Sequence, residues 1–122
     1  MITHLENMSA GSFVEKFAAI ALAQDRALLD GDTEKFNSLY DEMDAVNFAL
    51  KNLAGDQRSA LLQLYKHPNA QVRLKAAIST LAVAPGPARE VLEAIVAQRE
   101  YPQSADARGM LRALDEGSFV PD

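Results

Sequence analysis

Apolar side chains recur every three or four residues along most of the chain, whereas β-branched residues never alternate over the length of a strand. Residues three and four apart lie on one face of an α-helix, so this spacing indicates helices throughout. The pattern predicts six helices, separated by short breaks, at about residues 12–29, 33–53, 56–66, 69–83, 87–99 and 104–114. The fold class is therefore predicted to be all-α.

The first two predicted helices are the longest, and only about three residues separate them. Long helices joined by so short a connection form an antiparallel hairpin. Ser12, with Glu15 three residues later, predicts a capping box at the start of the first helix. Gly31 is expected to end that helix, and Asp32 or Thr33 to cap the second. The predicted buried positions are Phe13, Phe17, Ile20, Gln24, Leu28, Phe36, Leu39, Tyr40, Met43, Val46, Leu50 and Leu53.

The second half of the chain consists of shorter predicted helices, interrupted by two similar breaks. Pro68 and Pro102 lie 34 residues apart, and each separates two short helices. A period of roughly 35 residues with two helices per period is in the range of helical solenoids. In the first copy, Arg73 follows the first turn of a helix, and we expect it to pair with an acid of an adjacent repeat. The equivalent arginine in the second copy is Arg108, for which we expect a similar pairing with an acid of an adjacent repeat.

Residues 56–115 thus resemble two HEAT-like repeats of the armadillo-type fold. The resemblance is strongest in NAQVRLKAA and weakest in the second copy, where Gly109 and Arg112 depart from the usual apolar positions. It implies a concave face that binds protein or, less often, nucleic acid. The whole chain is also similar to a family of small bacterial proteins of unknown function, in the stretches FAAIALAQD, FNSLYDEMDAV, GDQRSALLQLY and HPNAQVRLKAAISTLAVAP. That similarity implies a fold and no activity.

These elements predict one domain over residues 1–122, because a chain of this length is usually a single domain. Two repeats are few for a solenoid, whose terminal units need capping. The long hairpin at 12–53 is expected to be that cap. A HEAT-like repeat at 56–84 and a degenerate one at 87–115 would follow it, giving an alpha–alpha superhelix.

Composition excludes several classes of protein. The chain has no cysteine, so it has no disulfide framework, thiolate metal site or cysteine nucleophile. No apolar run approaches the roughly 20 residues of a membrane span. The N-terminal sequence lacks the basic start and apolar stretch of a signal peptide. We therefore expect a cytoplasmic protein that does not enter a membrane.

Catalytic chemistry finds no support in the sequence. His4 and His67 are the only histidines, and no Glu-x-x-His motif accompanies them. His67 is better interpreted as a turn residue whose ring caps the preceding helix. Asp41 and Asp44 could bind a divalent ion, but acids at this spacing more commonly form a solvated helix face. No nucleophile elbow or phosphate loop occurs, so we predict no catalytic residue, no metal site and no cofactor.

Charge is unevenly distributed around a net value of −5. Residues 25–44 contain seven acids and two bases, whereas residues 57–89 contain five bases and no acid. The simplest interpretation is that these bases pair with the acids of the second helix, within the fold or between protomers. A homo-oligomer is therefore possible.

Three functional hypotheses remain. The first is a non-enzymatic adaptor that binds another protein through its helix faces. The second is a neutralising protein, of the antitoxin or toxin-immunity type, whose acids Asp41, Glu42 and Asp44 cover a basic site on a toxin.

The third hypothesis is an anion or nucleic-acid binder that uses the basic segment, residues 57–89. Its candidate contacts are Arg58, Arg73, Lys75 and Arg89. A sequence pI near 5.0 and the absence of aromatics between the bases make nucleic acid the less expected partner. Another protein is the expected partner.

Overall fold

A computed structural model describes residues 9–122 of the chain, so His4 lies outside the described residues. Within this range the protein is all-α, as predicted, with five α-helices, one 3₁₀ helix and no strand. The elements are α1 (Ala10–Asp30), α2 (Thr33–Asn52), the 3₁₀ helix (Gln57–Lys66), α3 (Ala70–Ser79), α4 (Pro85–Ala97) and α5 (Gln103–Glu116).

The chain divides into two compact units between Ala60 and Leu61. Helices α1 and α2 belong to the first unit, and α3, α4 and α5 belong to the second. The 3₁₀ helix spans the division. The prediction of a single domain stays a prediction.

The first unit is a helical hairpin whose turn follows the expected capping chemistry. Gly31 ends α1 in the left-handed conformation, with φ of 67°, and Asp32 accepts a hydrogen bond from the backbone N–H of Lys35. Both signals were predicted. The capping box at Ser12 was wrong, because α1 begins earlier and Ser9 accepts the bond from the Ser12 N–H at 3.2 Å.

Helices α1 and α2 pack against each other through one apolar stripe on each helix. Two of the predicted buried positions are wrong, since Leu28 and Tyr40 are 40% and 47% exposed. Ala27 is buried in place of Leu28, which shows that the core face of α1 has rotated by its last turn. The buried residues of the hairpin are Phe13, Val14, Phe17, Ile20, Ala21, Gln24, Ala27, Leu39, Met43, Val46 and Leu50.

The segment predicted as the third helix is a 3₁₀ helix rather than an α-helix. Its buried residues, Leu61 and Leu64, lie three apart, which is the period of a 3₁₀ helix. Runs of this type rarely exceed four residues, so ten residues are unusual. Gly55 and Asp56 lead into it with φ of 79° and 51°, both left-handed.

The second unit is built from three helices in succession. Helix α3 packs on α4 and α4 on α5, while α3 also contacts α5. Asn69 caps α3 by accepting bonds from the N–H groups of Gln71 and Val72. The core consists of Leu74, Ala77, Leu81, Ala88, Leu92, Ile95 and Ala107, with Tyr65, Ile78, Val91, Val96, Met110, Leu111 and Leu114 packed around them.

Helix α3 ends at Ser79, four residues before its predicted end. The hydroxyl of buried Thr80 donates hydrogen bonds to the carbonyls of Ala76 and Ala77, at 2.8 and 3.2 Å. A side chain thus satisfies carbonyl groups in the last turn of α3. The phenolic oxygen of Tyr65 meets the same hydroxyl. At the other end of the unit, the Tyr101–Pro102 peptide bond is cis.

Candidate interaction surfaces

Arg73 is the most highly bonded of the predicted site residues. Its Nη1 and Nη2 donate to the two carboxylate oxygens of Glu100 at 2.7 and 2.5 Å, and its Nε donates to the carbonyl of His67 at 2.7 Å. The side chains of Arg73 and Glu100 are only 15% and 24% exposed. These hydrogen bonds raise the pKa of Arg73 and lower the pKa of Glu100. Arg73 thus pairs with an acid, as expected, and that acid lies between α4 and α5; that it belongs to an adjacent repeat stays a prediction.

Arg58 pairs with a carboxylate two residues before it. Its Nε and Nη2 donate to the two oxygens of Asp56 at 2.9 and 2.8 Å, and its side chain is 11% exposed. The bond from Arg58 lowers the pKa of Asp56. Arg58 therefore stabilises the turn at the start of the 3₁₀ helix.

Arg89, on α4, lies between two carboxylates of the second unit. Its guanidinium is 3.3 Å from Glu93, one turn further along α4, and 2.9 Å from Asp115 of α5. The bond to Asp115, which is the stronger influence, raises the pKa of Arg89. Lys75, the fourth predicted basic contact, is half-buried on α3.

The basic segment therefore does not present its arginines as free cations. We expected these bases to pair with the acids of α2, within the fold or between protomers. Within the fold, the three arginines pair with other acids, so that part of the expectation is wrong for them. Each pairs instead with a carboxylate that is nearer in sequence or that follows the segment. The separation into acidic and basic blocks concealed this, because the partner acids lie outside the segment, at position 56 before it and at positions 93, 100 and 115 after it.

The acids predicted on α2 are exposed. Within residues 9–122, the side chains of Asp41, Glu42 and Asp44 make no ion pair or hydrogen bond. Asp41 and Asp44 lie one turn apart, and Phe48, one turn further on, is 71% exposed. We call Asp41, Asp44 and Phe48 the acidic face of α2. Glu42 lies beside it, about 100° around the helix from Asp41.

Sequence reasoning did not identify Phe48 as a surface residue of interest. The signal was present, because Phe48 falls between Val46 and Leu50 of the apolar stripe and two residues from each. Residues two apart lie on different faces of a helix, so a large aromatic at this position has to point away from the hairpin core.

Helix α5 carries a second charged surface, of opposite sign. Arg108 and Arg112 lie one turn apart on its exposed side, and neither makes an ion pair or a hydrogen bond through its side chain with the described chain. The prediction that Arg108 pairs with an acid, as Arg73 does, is therefore wrong. Ala105 and Gly109 are also exposed. We call Ala105, Arg108, Gly109 and Arg112 the basic face of α5.

The sequence model of a family described as a domain of unknown function, DUF2019, matches residues 11–115. The chain belongs to this family. It is 46% identical to the protein RPA1889 from Rhodopseudomonas palustris CGA009, over the full length of both chains. The crystal structure of that protein superposes with a TM-score of 0.95. No curated protein matches the chain.

The DUF2019 match confirms the predicted similarity to a family of unknown function, but neither comparison identifies a HEAT or armadillo repeat. The matched range runs from the first turn of α1 almost to the end of α5. It therefore contains both charged faces. These two faces belong to the part of the chain that defines the DUF2019 family.

Two shallow, largely apolar clefts lie on the described surface of this DUF2019 protein. One, of about 270 Å³, lies at the hairpin turn, and another, of about 290 Å³, lies in the second unit. Their linings are Ala27, Leu28, Gly31, Asp32, Thr33 and Phe36 for the first, and Leu81, Ala82, Pro85, Arg89, Leu114 and Pro121 for the second. Arg89, in the second lining, already pairs with carboxylates. Neither lining brings several reactive side chains together.

Other observations bear on the chemistry of the described range. Nowhere in residues 9–122 do three His, Cys, Asp or Glu side chains come close enough to hold a metal ion.

The ring of His67 accepts a hydrogen bond from the Asn69 N–H at 3.1 Å, so it stabilises the turn at the start of α3 and does not cap the preceding helix. None of the helices in this range combines the length and apolar character that crossing a bilayer requires.

Proposed function

We propose that this DUF2019 protein is a non-enzymatic module that binds another protein through the acidic face of α2. The observation that carries the proposal is the position of Phe48, 71% exposed and one turn from Asp44. Large aromatics that anchor interfaces are commonly surrounded by polar groups that set orientation and specificity. The acidic face has this composition.

The charge of the face defines the partner. Asp41 and Asp44 have no internal counter-ion in the described chain, so a partner with lysine or arginine opposite them gains attraction without displacing an existing pair. Covering Phe48 contributes about 2 kcal/mol of apolar burial. The expected partner is therefore a protein surface with basic residues around an apolar recess.

A neutralising protein, of the antitoxin or toxin-immunity type, is the special case in which that basic partner is a toxin. Asp41 and Asp44, two of the three acids of the second hypothesis, belong to this face, and Glu42 lies beside it, so the same surface supports both functions. Binding to nucleic acid through Arg58, Arg73 and Arg89 has less support, because each arginine would have to leave a carboxylate.

The HEAT-like interpretation of residues 56–115 also belongs to this proposal. It is supported by the packing of α3, α4 and α5 in succession, and by the bond from Arg73 across to Glu100. A cytoplasmic location fits the same interpretation, since such modules act on other soluble proteins.

The test is capture of a partner from native lysate with the full-length tagged chain, followed by reconstitution with the purified partner. We expect one protein with a basic surface patch at fixed stoichiometry, unchanged by nuclease. The double variant Asp41→Lys/Asp44→Lys and the single variant Phe48→Ser should each lose it. The matched control, Glu15→Lys/Glu90→Lys, changes two exposed acids elsewhere by the same charge and should retain it.

Three results would contradict the proposal. One is equal capture by all variants, and another is capture that disappears with nuclease. The third is a purified partner that does not bind the purified chain.

A further inference from the structure

We propose that the acidic face of α2 docks against the basic face of α5 of a second copy of this chain. This inference rests on the proposed function, because it names the partner of the α2 face. The two faces lie on the same chain and are complementary in charge.

The basic face of α5 is built as a receptor for a helix. Arg108 and Arg112 project from it without an internal partner in the described range, while Ala105 and Gly109 leave the helix surface low between and beside them. A Cβ atom built on Gly109 would meet nothing within 4 Å, so this position opens onto free space. Small residues of this kind let another element approach a helix backbone closely.

The two faces have matching spacing. The acidic face uses positions 41, 44 and 48 of α2, and the basic face uses positions 105, 108 and 112 of α5. The first and last positions of each set lie seven residues apart, which is about two helical turns or roughly 10 Å. Laid antiparallel, Asp41 faces Arg112, Asp44 faces Arg108, and Phe48 faces the small side chain of Ala105.

Other pairings of the same faces are less favourable. Two α2 faces would oppose acids to acids, and two α5 faces would oppose arginines to arginines. A parallel arrangement would match Asp44 with Arg108 but leave Asp41 opposite Ala105. A parallel arrangement shifted by one turn would pair Asp41 with Arg108 and Asp44 with Arg112, but it would set Phe48 against the exposed carboxylates of Asp115 and Glu116. The antiparallel α2–α5 pairing satisfies both acids and both arginines and places Phe48 on a small side chain, so the contact joins two different surfaces of two copies.

Such an association is expected to be weak and dependent on salt, because each exposed ion pair contributes little and is screened by counter-ions. The measurement is sedimentation velocity of the full-length purified chain over a dilution series, at low and at high salt. We expect species larger than the 13.3 kDa monomer at high concentration and low salt, and monomer at high salt.

Charge reversal supplies the decisive comparison. Asp41→Lys/Asp44→Lys and Arg108→Glu/Arg112→Glu should each weaken self-association by roughly tenfold or more, since each replaces two attractions with two repulsions. The chain that carries all four changes should recover it. The Glu15→Lys/Glu90→Lys control should associate like the unchanged chain.

A further variant separates docking from folding. Gly109→Gln fills the low point of the α5 face at a position with free space, and it replaces glycine within a helix. Because glutamine favours a helix more than glycine does, this change should raise the free energy of unfolding. The same change should weaken self-association.

A chain that stays monomeric at every concentration and salt would overturn the proposal. Self-association that is indifferent to the double reversals, or that the fourfold variant fails to recover, would also overturn it. None of these results concerns a different basic partner, so the proposed function would stand or fall separately, on the capture experiment.

Discussion

Arg73 of α3 holds the carboxylate of Glu100, 27 residues further along the chain, through two hydrogen bonds of 2.7 and 2.5 Å. The same guanidinium donates to the carbonyls of His67 and Pro68. One side chain thus joins the turn before α3 to the segment that connects α4 and α5. This arrangement makes Arg73 a structural residue of the second unit.

Removing the carboxylate should destabilise the protein. In Glu100→Ala, the mostly buried guanidinium of Arg73 loses its counter-ion, and we expect the free energy of unfolding to fall by about 1–3 kcal/mol. Urea denaturation followed by circular dichroism measures this change. The control is Glu93→Ala, which removes an exposed partner of Arg89 and should cost less than about 0.5 kcal/mol. Equal losses in the two variants would contradict this role for Glu100.

Stability should also depend on pH through the same pair. Arg73 lowers the pKa of Glu100, so the folded protein holds this carboxylate ionised at a pH where the unfolded chain protonates it. The contribution is therefore complete above the ordinary glutamate pKa of about 4.3 and is lost as the pH falls through the lower, folded-state pKa. The difference in unfolding free energy between the unchanged chain and Glu100→Gln should shrink over that acidic range. A difference that stayed constant from neutral to acidic pH would argue against the linkage.

A buried amide pair should show strong coupling. The side chain of Gln103, at the start of α5, donates to the side-chain oxygen of Gln71 in α3 at 3.0 Å, and both residues are buried. Either Gln71→Leu or Gln103→Leu leaves a buried amide with one bond fewer, at a cost of about 1–3 kcal/mol. The double variant should cost less than the sum of the two single changes. Strict additivity in this double-mutant cycle would show that the bond contributes nothing.

Phe48 should matter little for folding, although it is a large aromatic residue. Because it is mostly exposed, Phe48→Ser should change the free energy of unfolding by less than about 0.5 kcal/mol. Leu50, two residues away on the same helix, is fully buried, so Leu50→Ala should cost about 2–5 kcal/mol. Thermal unfolding of both variants tests the contrast. A large loss in Phe48→Ser would place that side chain in the core and remove it from the candidate surface.

Local signals in the sequence predicted much of the fold. The period of the apolar residues located every helix, and Gly31 and Asp32 marked the hairpin turn because their chemistry acts within a few residues. The type of the helix at 57–66 was not predictable in this way. Leu61 and Leu64 are three residues apart, and at that separation periods of 3.0 and 3.6 residues differ by only about 60° around the helix axis, so their spacing allows either type.

The candidate surfaces were only partly predictable. Exposure of Asp41 and Asp44 followed from their positions off the apolar stripe. Arg73 pairs with an acid, whereas Arg108 has no such partner in the described chain. The similar sequence contexts of the two arginines did not predict this difference. Whether an ion pair forms depends on where a distant acid lies in space. Glu100 lies beside Arg73 because of the path that the chain takes between α4 and α5. The departure of Gly109 and Arg112 from the repeat pattern was visible, and the structure explains it, since both face outwards.

The ten-residue 3₁₀ helix has a consequence for how the chain opens. Its hydrogen bonds have poorer geometry than those of an α-helix, and it spans the division between the two compact units. Backbone amides in residues 57–66 should therefore exchange with deuterium sooner than those of α1 or α3. A stretch that opens at lower free energy than the helices on either side lets this boundary melt locally while both units remain folded.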